Sequence, residues 1–384
     1  MSRTPYPFTL TNCDRDPVHI PESIQPHGFL LAADARSGAI THVSQNYPTT
    51  GSVSALLGQP LAETLSLDPQ AHALLTEIFQ TSELAPRPII LQSTWQPQGS
   101  LSTPYQLIAH QRSGFVIVEG ESISSHVEVV KEDAEHSRSL KPVLLHMTAA
   151  SSLDELCELV VAETRRLTGF DRVLIYQFDE DWNGSVVAED RNDVLPSYLR
   201  HRFPASDIPK PARDFYHINR LRMIADAAYT PVPIESIGTE LAPLDLTHAS
   251  LRGVSPVHLE YMRNMGTGCS MSVSLMMGER LWGLLSCHCA SPRRVSFEVR
   301  NTCDLLGHIF SLQLATREQA RHLTRQVELR SILSRLLRGM TSETDFIVGL
   351  NEPDLLRLAD SHGAVVVRGE DVHSFGRVPN ATAL

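Results

Sequence analysis

Short apolar runs broken by turn residues fill the first third of the chain. Phe29-Leu30-Leu31-Ala32-Ala33 and Ile40-Thr41-His42-Val43 flank Asp34-Ala35-Arg36-Ser37-Gly38, the pattern of two strands joined by a glycine-containing hairpin loop. Val53-Ser54-Ala55-Leu56-Leu57 opens a short helical pattern, and Gly114-Phe115-Val116-Ile117-Val118 reads as a late strand. The charged stretch from Val130 to Arg138 then marks the start of a solvated connecting helix. Ser152-Leu153-Asp154-Glu155 has capping-box spacing, in which the hydroxyl satisfies one orphan amide and the glutamate another. Behind it Leu156, Leu159, Val160 and Leu167 recur at helical spacing, which predicts a helix ending near Thr168-Gly169. Two hairpins follow: 172–178 with 185–188 across a turn at 181–184, and 269–277 with 281–289 across 277–280.

From Ser296 onward the pattern changes again. Apolar residues stand at Val299, Cys303, Leu306, Phe310, Leu314, Leu323, Val327, Leu333 and Leu337 with no proline between them, which predicts one long helix whose outer face can pair with its copy. After Gly339 new elements begin, among them Gly363-Ala364-Val365-Val366-Val367. The predicted fold class is α+β, two domains each with a central antiparallel sheet and flanking helices.

Composition narrows the function classes. At 384 residues the chain is too long for one core, and about one domain per 150 residues gives two or three. Hydrophobic residues at 42% and charged residues at 20% are globular values, and no apolar run approaches the roughly 20 residues of a membrane span. Neither a secretory signal nor a membrane partner is expected, and a cytoplasmic location follows as the default. The net charge of −11 argues against a nucleic-acid partner, which needs a positive field. Six scattered cysteines, most within apolar segments, do not make a disulfide framework. Cys287-His288-Cys289 has no second ligand pair at zinc spacing, so packing is preferred over metal.

Cys13 stands apart, because it lies in a leader that runs into Asp16-Pro17-Val18-His19-Ile20-Pro21-Glu22-Ser23-Ile24-Gln25-Pro26-His27-Gly28. A thiol there serves no core and is free to reach a ligand held elsewhere. Far downstream stand Pro204-Ala205-Ser206-Asp207-Ile208-Pro209 and Ser255-Pro256-Val257-His258-Leu259-Glu260-Tyr261-Met262-Arg263-Asn264-Met265-Gly266. With these three stretches the chain resembles the photosensory core of the bacteriophytochromes, light receptors that hold a linear tetrapyrrole.

The resemblance implies an N-terminal segment over 1–27, a PAS domain over 28–128, a GAF domain over 140–315, and a connecting helix with an incomplete PHY domain over 316–384. It implies a figure-of-eight knot, with Ile24 crossing a GAF loop of roughly Ala227 to Arg252. It implies biliverdin IXα as cofactor, bound through a thioether at Cys13. Val257 stands where plant and many cyanobacterial relatives carry their attachment cysteine, which selects biliverdin over phycocyanobilin. Arg222 and Arg252 match the partners of the two propionates, and bidentate guanidinium forks suit carboxylates. Ser255, Ser270 and Ser272 offer hydroxyls. The main chain at Asp207 and Ile208 matches the acceptor of the pyrrole N–H groups, and His258 the residue beside the pyrrole nitrogens. His288 matches the donor to the ring D carbonyl, and Tyr176, Phe203, Tyr216 and Tyr261 the aromatic wall. From the residues alone, Asp207 also reads as an N-cap for the helix after Pro209.

The implied function is a red/far-red photoreceptor module that is not itself an enzyme. Its implied partners are a second copy, met through GAF and long-helix faces, and a downstream output domain or response partner. The alternative is a cyclic-nucleotide GAF sensor, for which Phe178-Asp179-Glu180 is a signature fragment lacking the preceding Asn-Lys. No phosphoacceptor-histidine helix or ATP pocket of a sensor kinase is legible. The PHY tongue, with its Pro-x-x-Ser-Phe segment, is likewise not found in these residues, which implies a fast-reverting far-red product.

Overall fold

The computed structural model describes residues 17–80, 88–97, 104–123, 129–130, 134–238, 243–342, 347, 349–369 and 371–378. Cys13 and Asp16 lie outside the described residues. The N-terminal domain contains β1 (Ser23–Ile24), β2 (Gly28–Asp34), β3 (Ile40–Ser44), α1 (Leu61–Leu65), α2 (Pro69–Gln80), β4 (Ile89–Trp95), β5 (Tyr105–Arg112) and β6 (Phe115–Ser122). β2 is buried on both faces. Phe29, Leu31 and Ala33 enter a core with Leu107, Val116, Val118, Leu61 and Trp95. Leu30 and Ala32, with Ile117, cover Leu244, Leu246, Ala249 and Leu251 on the opposite side. A strand covered on both faces reads as an unbroken apolar run, which is the pattern of 29–33. Residues 53–56 form a single 3₁₀ turn, the short helical element expected there. Gly58 at φ +84° and Pro60, which has no N–H to donate, stop it.

The second domain begins with β7 (Val129–Val130), α3 (Ala134–Ala149) and α4 (Leu153–Thr168). Ser152 caps α4 by accepting from Glu155 N at 3.1 Å. The Glu155 carboxylate satisfies the amide of Ser151 at 2.7 Å, one residue upstream of the expected box partner. Gly169 at φ +66° ends the helix. Next come β8 (Arg172–Phe178), β9 (Gly184–Arg191), β10 (Arg202–Phe203), α5 (Lys210–Ile218), β11 (Leu221–Ile224), β12 (Val232–Ser236), α6 (Pro256–Asn264), β13 (Cys269–Met277), β14 (Arg280–Cys289), β15 (Arg294–Val295) and α7 (Phe297–Ser342). Six strands form an antiparallel sheet in the order β10-β9-β8-β14-β13-β11. One face is apolar and covered: Val299, Cys303, Leu306 and Phe310 of α7 are buried, and Phe310 packs 5.7 Å from Trp282. Cys287 and Cys289 alternate away from His288 and are buried.

The two domains interlock through backbone hydrogen bonds. β12 belongs to the loop between β11 and α6, yet it pairs with β3 and β1, so the N-terminal sheet runs β1-β12-β3-β2-β6-β5-β4. Ser23 and Ile24 pair with Pro233 and Val232 on one side. On the other, Gly253 N donates to Ser23 O at 2.9 Å, Gln25 N to Leu251 O at 2.7 Å, and Leu246 N to His19 O at 2.8 Å. Segment 19–25 is thus held between both arms of the loop, with Ile24 fully buried at the crossing. A Cβ on Gly253 would fall 2.8 Å from Ser23 O, so this approach requires glycine. The buried Glu119 of β6 fastens one arm, accepting from Leu251 N at 2.7 Å and Ser250 N at 3.1 Å. Glu121, two residues on, pairs with Arg300 of α7 at 2.7 Å.

Residues 314–384 make a separate compact unit. It contains the remainder of α7, then α8 (Glu352–Leu358), β16 (Gly363–Arg368) and β17 (Asp371–Gly376). Asn351 caps α8, and Arg335 forks onto Asp354 at 2.7 and 2.6 Å. Leu323, Val327, Leu333 and Leu337 are exposed along this part of α7.

Candidate functional site

Strand register gathers the site. Directly opposed residues share a face of the sheet, so a few pairings fix which side chains meet. Arg222 opposes Ser272 and Ile224 opposes Ser270; Ser272 opposes Ser286 and Ser270 opposes His288; His288 opposes Arg172. Leu284 opposes Tyr176. The uncovered face of the six-stranded sheet therefore carries Arg222, Ser270, Ser272, Ser286, His288, Arg172 and Tyr176 in one patch. Polar residues line it where the opposite face is apolar.

Segments from outside the sheet form the other walls. Asp207 ends a 3₁₀ turn at Ala205–Asp207 between Pro204 and Pro209. Its carboxylate accepts from the Tyr261 hydroxyl at 3.1 Å, which joins this turn to α6. It is not the cap of α5, because Pro209 itself holds the N-cap place with no side-chain bond. Arg213, one turn into α5, donates to the carbonyls of Ala205 at 3.2 Å and Ile208 at 2.6 Å and so fixes the turn's shape. On α6, His258 stacks on Tyr261 with ring centres 6.2 Å apart and planes at 17°. Ser255 is the N-cap residue of α6, without a side-chain bond to it. Tyr176, Phe203 and Tyr198 form an aromatic cluster at 5.9 and 5.5 Å, joined by the half-buried Ile208 and Tyr216.

Two guanidinium groups are held deep in this region. Arg222 donates to Arg252 O at 2.6 Å and Gly253 O at 3.1 Å. Arg252, 5% exposed, lies 3.8 Å over the Phe215 ring. Buried Arg222 Nη1 and Arg252 Nε have no hydrogen-bond partner among the described residues. Burial pulls both below the usual arginine range, and Arg252 is further disfavoured by the like charge of Arg222. A buried cation with an orphaned N–H is costly unless an anion meets it. The arrangement fits a ligand with two carboxylates.

The histidines are held neutral. Burial, and then Arg222, push His258 down to about 4. The ring nevertheless keeps accessible surface. Both observations hold together when the ring faces an internal cavity. His288 falls to about 3, through burial and then the neighbouring Arg172 and His258. His27 and His110 fall to about 3 as well, mainly through burial. The unfolded chain takes up these protons near 6.5, so the four rings contribute stability that is full above that value and is lost as pH falls toward 3 to 4. Glu119 acts in the opposite sense, since burial raises it to about 7 and its contribution fades as pH rises through that value. Four groups outweigh one: the melting temperature should decline from about pH 6.5 downward. A melting temperature level down to about pH 4 would show that the rings are not held neutral.

Phe178-Asp179-Glu180 has a local task. Asp179 accepts from Asp181 N at 3.0 Å and Asn183 N at 2.9 Å, closing the β8–β9 hairpin, and pairs with Arg202. Arg172, Tyr198, Arg213 and Ser286 join the site although nothing in the motifs singled them out.

The comparisons with known proteins agree with this arrangement. A PAS fold family model matches residues 13–123 and a GAF domain model residues 152–317. A cyanobacterial phytochrome B of a Nostoc species is 37% identical over 98% of this chain and 50% of its own length. A bacteriophytochrome of Xanthomonas campestris is 34% identical over 100% of this chain and 60% of its own. The chain thus spans about half the length of these relatives. Among solved structures, a bacteriophytochrome of R. palustris is 36% identical with a TM-score of 0.83, covering 97% of this chain. The photosensory core module of a Stigmatella aurantiaca phytochrome is 40% identical with a TM-score of 0.81, over 98% of this chain and 74% of that one. Shared sequence, both domain models and the interlocked fold lead to one conclusion: this chain belongs to the bacteriophytochromes, of which it forms the PAS-GAF module.

Proposed function

We propose that this chain is a red/far-red photoreceptor module that holds biliverdin IXα covalently at Cys13. The observation that carries the reading is the pair of buried arginines, Arg222 and Arg252, with orphaned N–H groups beside two neutral histidines and a row of serines. A bound bilin supplies the light absorption and the double-bond isomerisation. The chain's own residues bind and orient it. Arg222 and Arg252 neutralise the propionates, aided by Ser255, Ser270 and Ser272. His258 and the main chain at Asp207 and Ile208 face the inner pyrrole nitrogens. His288 donates to the terminal-ring carbonyl, within a wall made by Tyr176, Phe203, Tyr216 and Tyr261. Rearrangement at Asp207, His258 and His288 passes outward along α7.

Any kinase or other output activity resides in a domain beyond this module, which acts in the cytoplasm. A homodimer uses the exposed apolar residues of α3 and α7, Leu145, Leu305 and Leu312, together with Leu323, Val327, Leu333 and Leu337. The PAS and GAF domains correspond to 28–128 and 140–315, and 316–384 to the start of a PHY domain.

Mixing the protein with biliverdin should yield a red absorption band that bleaches under red light. No band, or a light-insensitive one, would refute the reading. In a Cys13→Ser background, Arg252→Ala should weaken biliverdin binding roughly ten- to a hundredfold, the equivalent of about 1.5–3 kcal/mol for a charge-assisted bond. Unchanged affinity would remove the propionate role from Arg252.

A further inference from the structure

We infer that Arg172 is a positioning residue that fixes the tautomer of His288, keeping its proton on Nε2 so that the ring offers a donor, never an acceptor, to a ligand carbonyl in the cavity. The inference rests on the bilin reading for the identity of that carbonyl, but its first test does not.

Arg172 opens β8 directly opposite His288 on β14. It is fully buried, which is uncommon for arginine. Its guanidinium is held from three sides. Nη1 donates to Pro196 O at 2.5 Å, the Tyr198 ring lies 3.8 Å from the central carbon, and Nη2 reaches His288 Nδ1 at 3.3 Å. A guanidinium has only donors, so Nδ1 must accept and cannot carry hydrogen. The proton of the neutral ring is thereby assigned to Nε2. The partner of Nε2 within the protein is weak: Ser286 Oγ stands 3.3 Å away, two residues along the same strand. That hydroxyl can rotate away when a better acceptor arrives. Protonating Nδ1 would break the arginine contact and place two cations side by side, so the imidazolium is disfavoured by the same residue. The charged and titratable groups around this pair are Glu189 and Arg191 of β9, Tyr198 of the following loop, and His258 of α6.

The geometry has a consequence for selectivity. With hydrogen on Nδ1, Nε2 would present a lone pair and repel a carbonyl oxygen. With hydrogen on Nε2, the site prefers a lactam carbonyl over a ring bearing an N–H or hydroxyl at that place. Arg172 thus acts on the ligand through His288 without touching it.

Nitrogen-15 NMR of histidine-labelled protein decides the point, with His288 assigned by the signals lost in His288→Gln. In the ligand-free wild type, His288 should show a bare Nδ1 and a protonated Nε2 from about pH 5 to about pH 8. A protonated Nδ1, as either the other tautomer or the imidazolium, would overturn the inference. Arg172→Met should replace the single form by mixed tautomers with an upward shift in titration, and Arg172→Lys, which keeps a donor, should restore it. A folded Met variant with an unchanged His288 spectrum would also overturn it. Should the Met variant fail to fold, Arg172→Gln, whose amide can offer an oxygen to Nδ1, takes its place and should admit the Nδ1–H form; an unchanged His288 spectrum in that variant would overturn the inference. In the biliverdin adduct the Met variant should shift the red band and lose photoconversion. A wild type that takes up no biliverdin would refute the bilin reading and leave the tautomer result standing.

Discussion

Cys13→Ser should abolish the denaturation-resistant biliverdin adduct while leaving reversible binding. On the proposed reading, the remaining grip would come from Arg222 and Arg252 and from burial of the pigment against the open face of the sheet. The described cysteines cannot substitute. Cys157, Cys269, Cys287, Cys289 and Cys303 are all buried, and the three central ones sit on β13 and β14 in the sheet core or against α7. Burial pushes Cys157 and Cys303 up to about 12, so they have little thiolate with which to add to a vinyl group. Zinc-induced fluorescence of the denatured band reads the outcome. A band that persists in the variant would defeat the assignment and direct attention to another nucleophile.

Arg300→Met should be the most destabilising single change away from the ligand cavity. Arg300 and Glu121 are 4% and 7% exposed at the side chain, and their contact at 2.7 Å ties the N-terminal sheet to the first turn of α7. Removing one partner leaves the other charge buried without its main compensation, a loss of about 3–5 kcal/mol. Arg294 stays near Glu121, so some of its charge remains countered and the lower end of that range is expected. Replacing both partners by apolar residues removes the stranded charge, and Arg300→Met with Glu121→Leu should recover most of the loss. Urea midpoints of the two singles and the double measure this. A double variant no better than Arg300→Met would show that the pair contributes through packing alone.

The elements legible in the sequence are those whose signal is local. The β2–β3 hairpin, α4 with its Ser152 cap and Gly169 stop, and the uninterrupted α7 follow from periodicity and end signals within a few residues. Pairing between distant segments is another matter. Nothing in Val232-Pro233-Ile234-Glu235-Ser236 announces that it will hydrogen-bond β1 and β3 of the other domain, and only the resemblance implied the crossing at Ile24. Arg172 escaped notice because a charge at the first position of an apolar strand normally marks the solvent end. Arg213 reads as an exposed helix residue, yet its targets are carbonyls at 205 and 208, freed by the proline at 209. The long stripe on α7 divided into two parts: Val299, Cys303, Leu306 and Phe310 cover the second sheet, whereas Leu323, Val327, Leu333 and Leu337 face outward. One period accounts for both, since spacing shows that a face exists and not what covers it.

The proposed attachment of a pigment at Cys13 would give the clasp around segment 19–25 another meaning. Cys13 precedes the crossing, and a tetrapyrrole joined to it is far wider than an extended chain. The segment could not then be drawn back through the loop without dragging the bulky group with it. Thioether formation would turn a threaded fold into a mechanically interlocked one, with the pigment as the stopper on the axle and the loop of the second domain as the ring.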